Sequence, residues 1–383
     1  MQQTATANRQ AISAALGGLI AMAAAIGIGR FVYTPILPPM MEALGLSRSE
    51  AGLIASANFL GYLLGALAAA MPRLPGARRG WLFGSLAISA LTTAAMGLTE
   101  SLPAFLVLRL AGGAASAFVL IIASTLVLEY LAEVGRGGLS ALHFAGVGAG
   151  IAVSATLVAA MLGSGESWKA LWLASGLVSL AAMIAATTLL PAHEPPLPPG
   201  GGQAVSATNP LLRRLIAGYG LFGFGYIITA TFLVAIVQTT PAIASLEPVI
   251  WIVFGLSAAP SVALWTAIAA RWGISRAFAL ACVIEAAGVL ASVAWRSPVG
   301  VVAAAVLVGG TFMGLTALGL IRARELTGGD PRRVLAQMTG AFGLGQIVGP
   351  VFAGFLSDWL GSYSAPSMVA VAALLISALL VVG

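Results

Sequence analysis

The sequence predicts an all-α integral membrane protein: twelve transmembrane helices in two pseudo-symmetric six-helix bundles. Three observations carry this expectation. Of 383 residues, 60% are apolar and only 8% charged, whereas soluble domains are about half apolar and a quarter charged. Apolar stretches of spanning length fill nearly the whole chain. A set of glycines and arginines also recurs in the second half at almost one offset.

Apolar windows bounded by charges or by proline and glycine clusters give the elements in order. The first, 11–38, follows Arg9 and runs into Pro38 and Pro39; the second, 50–71, stops at Pro72 and Arg73. The third, 80–99, lies between Arg79 and Glu100, and the fourth, 103–131, between Pro103 and Glu133. The fifth, 138–162, follows Arg136, and the sixth, 168–190, ends at Pro191. The seventh, 212–238, follows Pro210; the eighth, 248–270, opens at Pro248 and closes at Arg271. The ninth is 277–296, the tenth 299–322, the eleventh 334–357 and the twelfth 364–382. Arg9 followed by an apolar run and the small residues Ala21 to Ala25 imitates a signal peptide, but eleven further spans make a retained helix the better reading.

Residues 191–210, PAHEPPLPPGGGQAVSATNP, are too rich in proline and glycine to form a helix and too polar to leave water. They are expected to be a cytoplasmic linker between an N-terminal bundle, 1–190, and a C-terminal bundle, 211–383. Gly27 and Gly29 recur 196 residues later as Gly223 and Gly225. At an offset of 197, Gly76 and Arg79 become Gly273 and Arg276, and Gly112 and Gly113 become Gly309 and Gly310. Gly146 and Gly148 become Gly343 and Gly345 at that same 197. Four matches at nearly one spacing indicate an internal duplication. With the N-terminus inside, 13 basic residues fall on the inner side and 3 on the outer. This bias predicts that both termini are cytoplasmic.

Several function classes are excluded or lack support. The single cysteine, Cys282, rules out intrachain disulfides and thiolate metal clusters. No HExxH, GxSxG or P-loop is present and the aspartates number two, so neither an enzyme nor an ATP-driven pump finds its parts. No metal or other cofactor is expected. The net charge of +6 fits an anionic membrane face better than nucleic acid. The expected partners are therefore the lipid bilayer and a small-molecule substrate, with no nucleic acid and with the chain acting as a monomer. A transport-inactive membrane sensor or partner protein stays open as an alternative, although no regulatory domain is visible.

Twelve spans in two related halves joined by a cytoplasmic linker resemble the major facilitator superfamily. The superfamily's motif after the second span is matched loosely by Arg73, Gly76, Arg78 and Arg79, without its aspartate, and Arg271, Gly273 and Arg276 stand at the equivalent place in the second half. Its fourth-span motif appears as Arg109, Gly113, Ala114 and Ala115. Its fifth-span glycine motif appears as Gly146, Gly148 and Gly150, without the proline usual in antiporters. The stretches GIGRFVYTPILPPMM from Gly27, FAGVGAGIAVS from Phe144, YGLFGFGYIITATFL from Tyr219 and GGTFMGLTALGL from Gly309 are similar to the YbfB/YjiJ branch. The resemblance implies a secondary transporter in the bacterial inner membrane, working by alternating access on a small organic solute, with spans one, four, seven and ten lining its cavity. It does not supply the solute.

Ionisable residues within spans are costly in hydrocarbon, which makes them candidates. Arg30 and Arg109 fall at similar depth in spans one and four, and the repeat aligns them with Tyr226 and Val306, so the positive charge is confined to one half. Arg30 is expected to bind an anionic or strongly accepting group, with Arg109 in support. The competing readings are snorkelling beside Phe31 and Tyr33 for Arg30, and a structural hydrogen-bond hub for Arg109. Tyr33, Tyr219, Phe222, Tyr226, Phe312 and Thr316 are the further substrate-contact candidates, mixing apolar bulk with a few hydroxyls. Glu285, on a stripe with Ala281, Gly288 and Ser292, and His143 are the proton-coupling candidates, each also explicable as a packed structural residue.

Overall fold

The computed structural model describes residues 2–71, 76–191, 209–327 and 331–382, with side chains from residue 8 onward and without those of 331–333. Arg73 and most of the expected linker lie outside the described residues. Every regular element among the described residues is helical. Among the described residues eleven helices are long and apolar enough to cross a bilayer, and the pair Ala244–Ala258 and Ser261–Trp272, bent by 42°, makes twelve when counted as one broken span. The spans, in order, are Asn8–Leu44, Arg48–Ala69, Arg78–Leu98, Leu102–Glu133, Gly137–Gly163, Trp168–Leu189, Pro210–Gln238, the bent pair, Ile274–Ala294, Pro298–Glu325, Val334–Leu360 and Ser364–Val382.

Local chemistry sets the ends. Ser47 accepts from the Glu50 amide while Glu50 reaches back to the Ser47 amide, a capping box that starts span two. Asn209 and Ser297 cap spans seven and ten, each followed by a proline in the first turn. Gly76 and Gly273, paired by the repeat offset, take φ of 84° and 85°. A left-handed turn at both places favours glycine, which is the physical content of this part of the loop motif. Arg79, in the same motif, donates to the carbonyls of Thr187, Leu190 and Pro191, closing the end of span six. Arg271 and Arg276 are exposed.

The spans pack through small residues. A side chain at Gly27 would collide with Gly150, and one at Gly148 with Gly255 and Ala259 of span eight. The glycine runs thus let backbones approach closely without any ligand. The two halves meet along spans two and eleven and along spans five and eight.

Span one is not one continuous helix. It passes through a π-helical segment, Ala23–Ile28, then non-helical turns at 29–32, and resumes as Tyr33–Leu44. Pro35 has no amide to give the Phe31 carbonyl, and the Thr34 amide bonds the Phe31 carbonyl in the tighter three-residue spacing. Backbone acceptors are released at this bend, at the depth of Arg30.

Hydrogen bonds join the halves on the side away from the termini. Thr34 Oγ1 donates to the Ala230 carbonyl at 2.8 Å, Trp251 Nε1 to that of Phe31 at 3.2 Å and Ser56 Oγ to that of Ile347 at 2.7 Å. The Asp358 carboxylate accepts from the Arg48 and Ser49 amides at 3.1 and 2.8 Å, at the start of span two. An anion there is favoured by the helix dipole. Gly52 lies against the Pro350 carbonyl and Gly354 against that of Arg48, so the far end of the interface is tightly closed.

Candidate functional site

The bend in span one places two arginines in different roles. Arg109 Nη1 and Nη2 donate to the carbonyls of Gly29 and Arg30, both at 3.1 Å, which are acceptors the bend releases. Its guanidinium also lies 5.0 Å over the Tyr33 ring. Asn58 Nδ2 in turn donates to the Arg109 carbonyl at 2.9 Å, tying span two to span four. Tyr33 gives its hydroxyl to the Ala51 carbonyl at 2.8 Å and is 2% exposed. Arg109 and Tyr33 are thus engaged inside the N-terminal half.

Arg30 is held differently. It is 7% exposed, and its Nε and Nη2 are buried without a hydrogen-bond partner. Its guanidinium carbon sits 4.2 Å from the Tyr62 ring centre, 5.1 Å from Phe59 and 5.6 Å from Phe31. The aromatic faces hold the cation by its π-face. The side-on edge, the fork that pairs with a planar two-oxygen acceptor, is left without an acceptor.

From the C-terminal half, Tyr226 comes within electrostatic reach of Arg30. Its ring lies nearly parallel to Phe312 on span ten, at 5.6 Å and 9°, and to Phe342 on span eleven, at 5.8 Å and 8°. Gln346 Nε2 donates to its hydroxyl at 2.5 Å. Phe222 stacks on Tyr226 at 5.1 Å and is fully buried. Tyr219 donates to the Thr316 carbonyl at 3.1 Å, and the Thr316 hydroxyl returns to the Phe312 carbonyl, so both polar groups are spent within their own half.

Of the residues singled out in the sequence, Arg30 reaches the C-terminal half through its neighbour Phe31, which meets Phe312 at 5.9 Å, and Phe312 stacks on Tyr226 with Phe222 behind. Phe31, Phe59, Tyr62, Phe342 and Gln346 complete the wall. Phe59 and Phe342 carry no sequence signal of their own, because a ring on an apolar helix is ordinarily packing. Their spacing to Tyr62 and Gln346, three and four residues on the same helix face, was the available clue.

Glu285 and His143 are not brought together. Glu285, with Ala281, Gly288 and Ser292, is buried in the C-terminal half, as the stripe predicts, beside the Thr311 hydroxyl. It lies within electrostatic reach of Tyr226 and Cys282. His143 is buried in the N-terminal half, with Nε2 3.0 Å from Ser124 Oγ and its ring edge-on to Phe144. Among the described residues no cluster of three or more histidine, cysteine or acidic side chains could hold a metal.

Comparison with known proteins agrees with this architecture. The structure superposes on the nucleoside transporter NupG, in a single-residue variant, with a TM-score of 0.74 at 15% identity, covering 96% of this chain and 98% of that one. It also superposes on a bacterial homologue of the human lysosomal transporter Spinster, in an inward-facing and unoccupied conformation, with a TM-score of 0.64 at 16% identity and 98% and 95% coverage. At such identity the likeness is one of fold. No curated protein matches the sequence. The family model described as uncharacterised MFS-type transporter YbfB matches residues 22–382, so this twelve-span membrane protein belongs to the YbfB family of major facilitator transporters.

Proposed function

We propose that this transporter moves a small organic anion by rocking its two halves about the Arg30 site, in alternating access. The observation that carries the reading is the side-on edge of Arg30: two buried N–H donors with no partner, between two halves of a membrane protein. Buried donors of a cation left unpaired are expensive. A carboxylate, phosphonate or sulfonate on the solute supplies the acceptor and the charge together. The tight contacts away from the termini and the similarity to an inward-facing structure support a resting state closed on that side.

The basic bias supports cytoplasmic termini, and the closed end would then face outward; a bacterial inner membrane is the proposed setting. Reporter fusions at either terminus would show this, and an external terminus would reverse the assignment. Glu285 is the proposed proton carrier, because it is fully buried and within reach of Tyr226, which in turn reaches Arg30. The titratable groups facing it are Tyr226 and Cys282. In proteoliposomes, a pH gradient is expected to drive carboxylate accumulation by the native protein, while Glu285→Gln retains only gradient-independent exchange. Accumulation unchanged in Glu285→Gln would remove Glu285 from the mechanism, and indifference of both proteins to pH would remove proton coupling.

A further inference from the structure

The reading of Arg30 as an anion site leaves the body of the solute undefined, and the surrounding wall narrows it. The chain is built mainly of small and aliphatic residues, with 8% aromatic. The surface around Arg30 departs from that composition. Phe31, Phe59 and Tyr62 touch the guanidinium, and Phe31 is also 5.9 Å from Phe312 in an edge-to-face contact. Phe312, Tyr226 and Phe342 then continue as a band of rings within 9° of parallel. The centroid spacings of 5.6 and 5.8 Å between parallel rings mean that the rings are offset. Offset is the arrangement aromatic quadrupoles prefer over a direct sandwich, and with Tyr226 and Phe312 each 2% exposed the band admits a further ring only as the halves part.

The band begins where the fork ends. Phe31 is the hinge, contacting Arg30 on one side and Phe312 on the other. It comes from the N-terminal half, whereas Phe312, Tyr226 and Phe342 come from the C-terminal half. A solute spanning fork and band would therefore touch both halves at once, which is what a carried solute must do for its binding to bias their relative position. Aliphatic groups would bury the same area without the parallel geometry. Tyr226 adds one polar handle, its hydroxyl held by Gln346, beside an otherwise apolar surface.

We infer that the solute is a flat aromatic carboxylate, its two oxygens paired with Arg30 Nε and Nη2 and its ring laid against the Phe312–Tyr226–Phe342 band. This rests on Arg30 being the anion site, and the test separates the two claims. Benzoate, cyclohexanecarboxylate and benzamide share size but differ in ring and charge. Binding of each to purified full-length protein in nanodiscs is measured by calorimetry, for the native chain, Arg30→Gln and Phe312→Leu.

The expected result is that benzoate binds at least tenfold more tightly than cyclohexanecarboxylate in the native chain. Phe312→Leu is expected to remove most of that preference while leaving cyclohexanecarboxylate unchanged, and Arg30→Gln to weaken both acids and not benzamide. Equal binding of the two acids, both lost in Arg30→Gln, would overturn the aromatic assignment and keep the anion site. Binding of benzoate that survives Arg30→Gln would overturn the anion site itself. No binding of any of the three, with the native protein shown by its melting curve to be folded, would overturn the aromatic carboxylate class.

Discussion

Arg109→Ala is expected to cost the protein its folded state far more than Arg30→Gln does. Arg109 satisfies two buried carbonyls, Gly29 and Arg30, that the bend of span one releases. Removing it leaves both buried acceptors unpaired, at about 1 to 3 kcal/mol each. The loss is therefore about 2 to 6 kcal/mol, about thirtyfold or more in the folded fraction. Arg109→Lys should recover little, because one ammonium cannot present the two spaced donors of a guanidinium. Arg30→Gln removes a desolvated cation whose Nε and Nη2 bond to nothing. Its melting temperature in detergent should equal or exceed that of the native chain. If Arg30→Gln melts as low as Arg109→Ala, Arg30 is a structural residue and the division of labour between the two arginines is wrong.

Gly52→Leu is expected to hold the transporter open at the end away from the termini. The nearest atoms to a side chain at this position belong to Pro350 and Val351 of span eleven, in the opposite half, and a Cβ would collide with the Pro350 carbonyl. The N-terminal half can fold around the leucine, but the halves cannot close against it. Ser56, one turn along, is 5% exposed and donates to the Ile347 carbonyl across the same seam. With the sole native cysteine replaced as Cys282→Ser, a Ser56→Cys probe should react slowly with an impermeant maleimide in the otherwise native chain. In the Gly52→Leu background labelling should rise at least tenfold, about 1.4 kcal/mol of shifted equilibrium, and net transport should stop. Unchanged labelling would mean that this seam does not open.

The fold was legible because a bilayer imposes length and polarity limits that few other environments do. The spans could be placed from charges such as Arg136 and Arg271 and from prolines such as Pro191 and Pro248, and the loop glycines Gly76 and Gly273 reappear as matched left-handed turns. The break in span one was less legible. Pro35, Pro38 and Pro39 announce a disturbed helix, but they do not say which carbonyls go free or which arginine answers them; the structure frees Gly29 and Arg30, one turn earlier, pairs both with Arg109 and leaves Arg30 Nε and Nη2 without an acceptor. Phe59 and Phe342 were illegible for a different reason. Their meaning comes from facing Arg30 and Tyr226 across separate helices, and no local pattern encodes that.

The central claim is that the Arg30 edge receives a negative charge from the solute. Its most direct measurement is the charge dependence of affinity at that one residue, using benzoate and benzamide against the native chain, Arg30→Gln and Arg30→Lys. Benzoate is expected to weaken at least tenfold in Arg30→Gln, about 1.4 kcal/mol, and nearly as much in Arg30→Lys, which keeps the charge and loses the fork. Benzamide should change less than twofold in both. Equal weakening of benzoate and benzamide, or none of either, would contradict the claim.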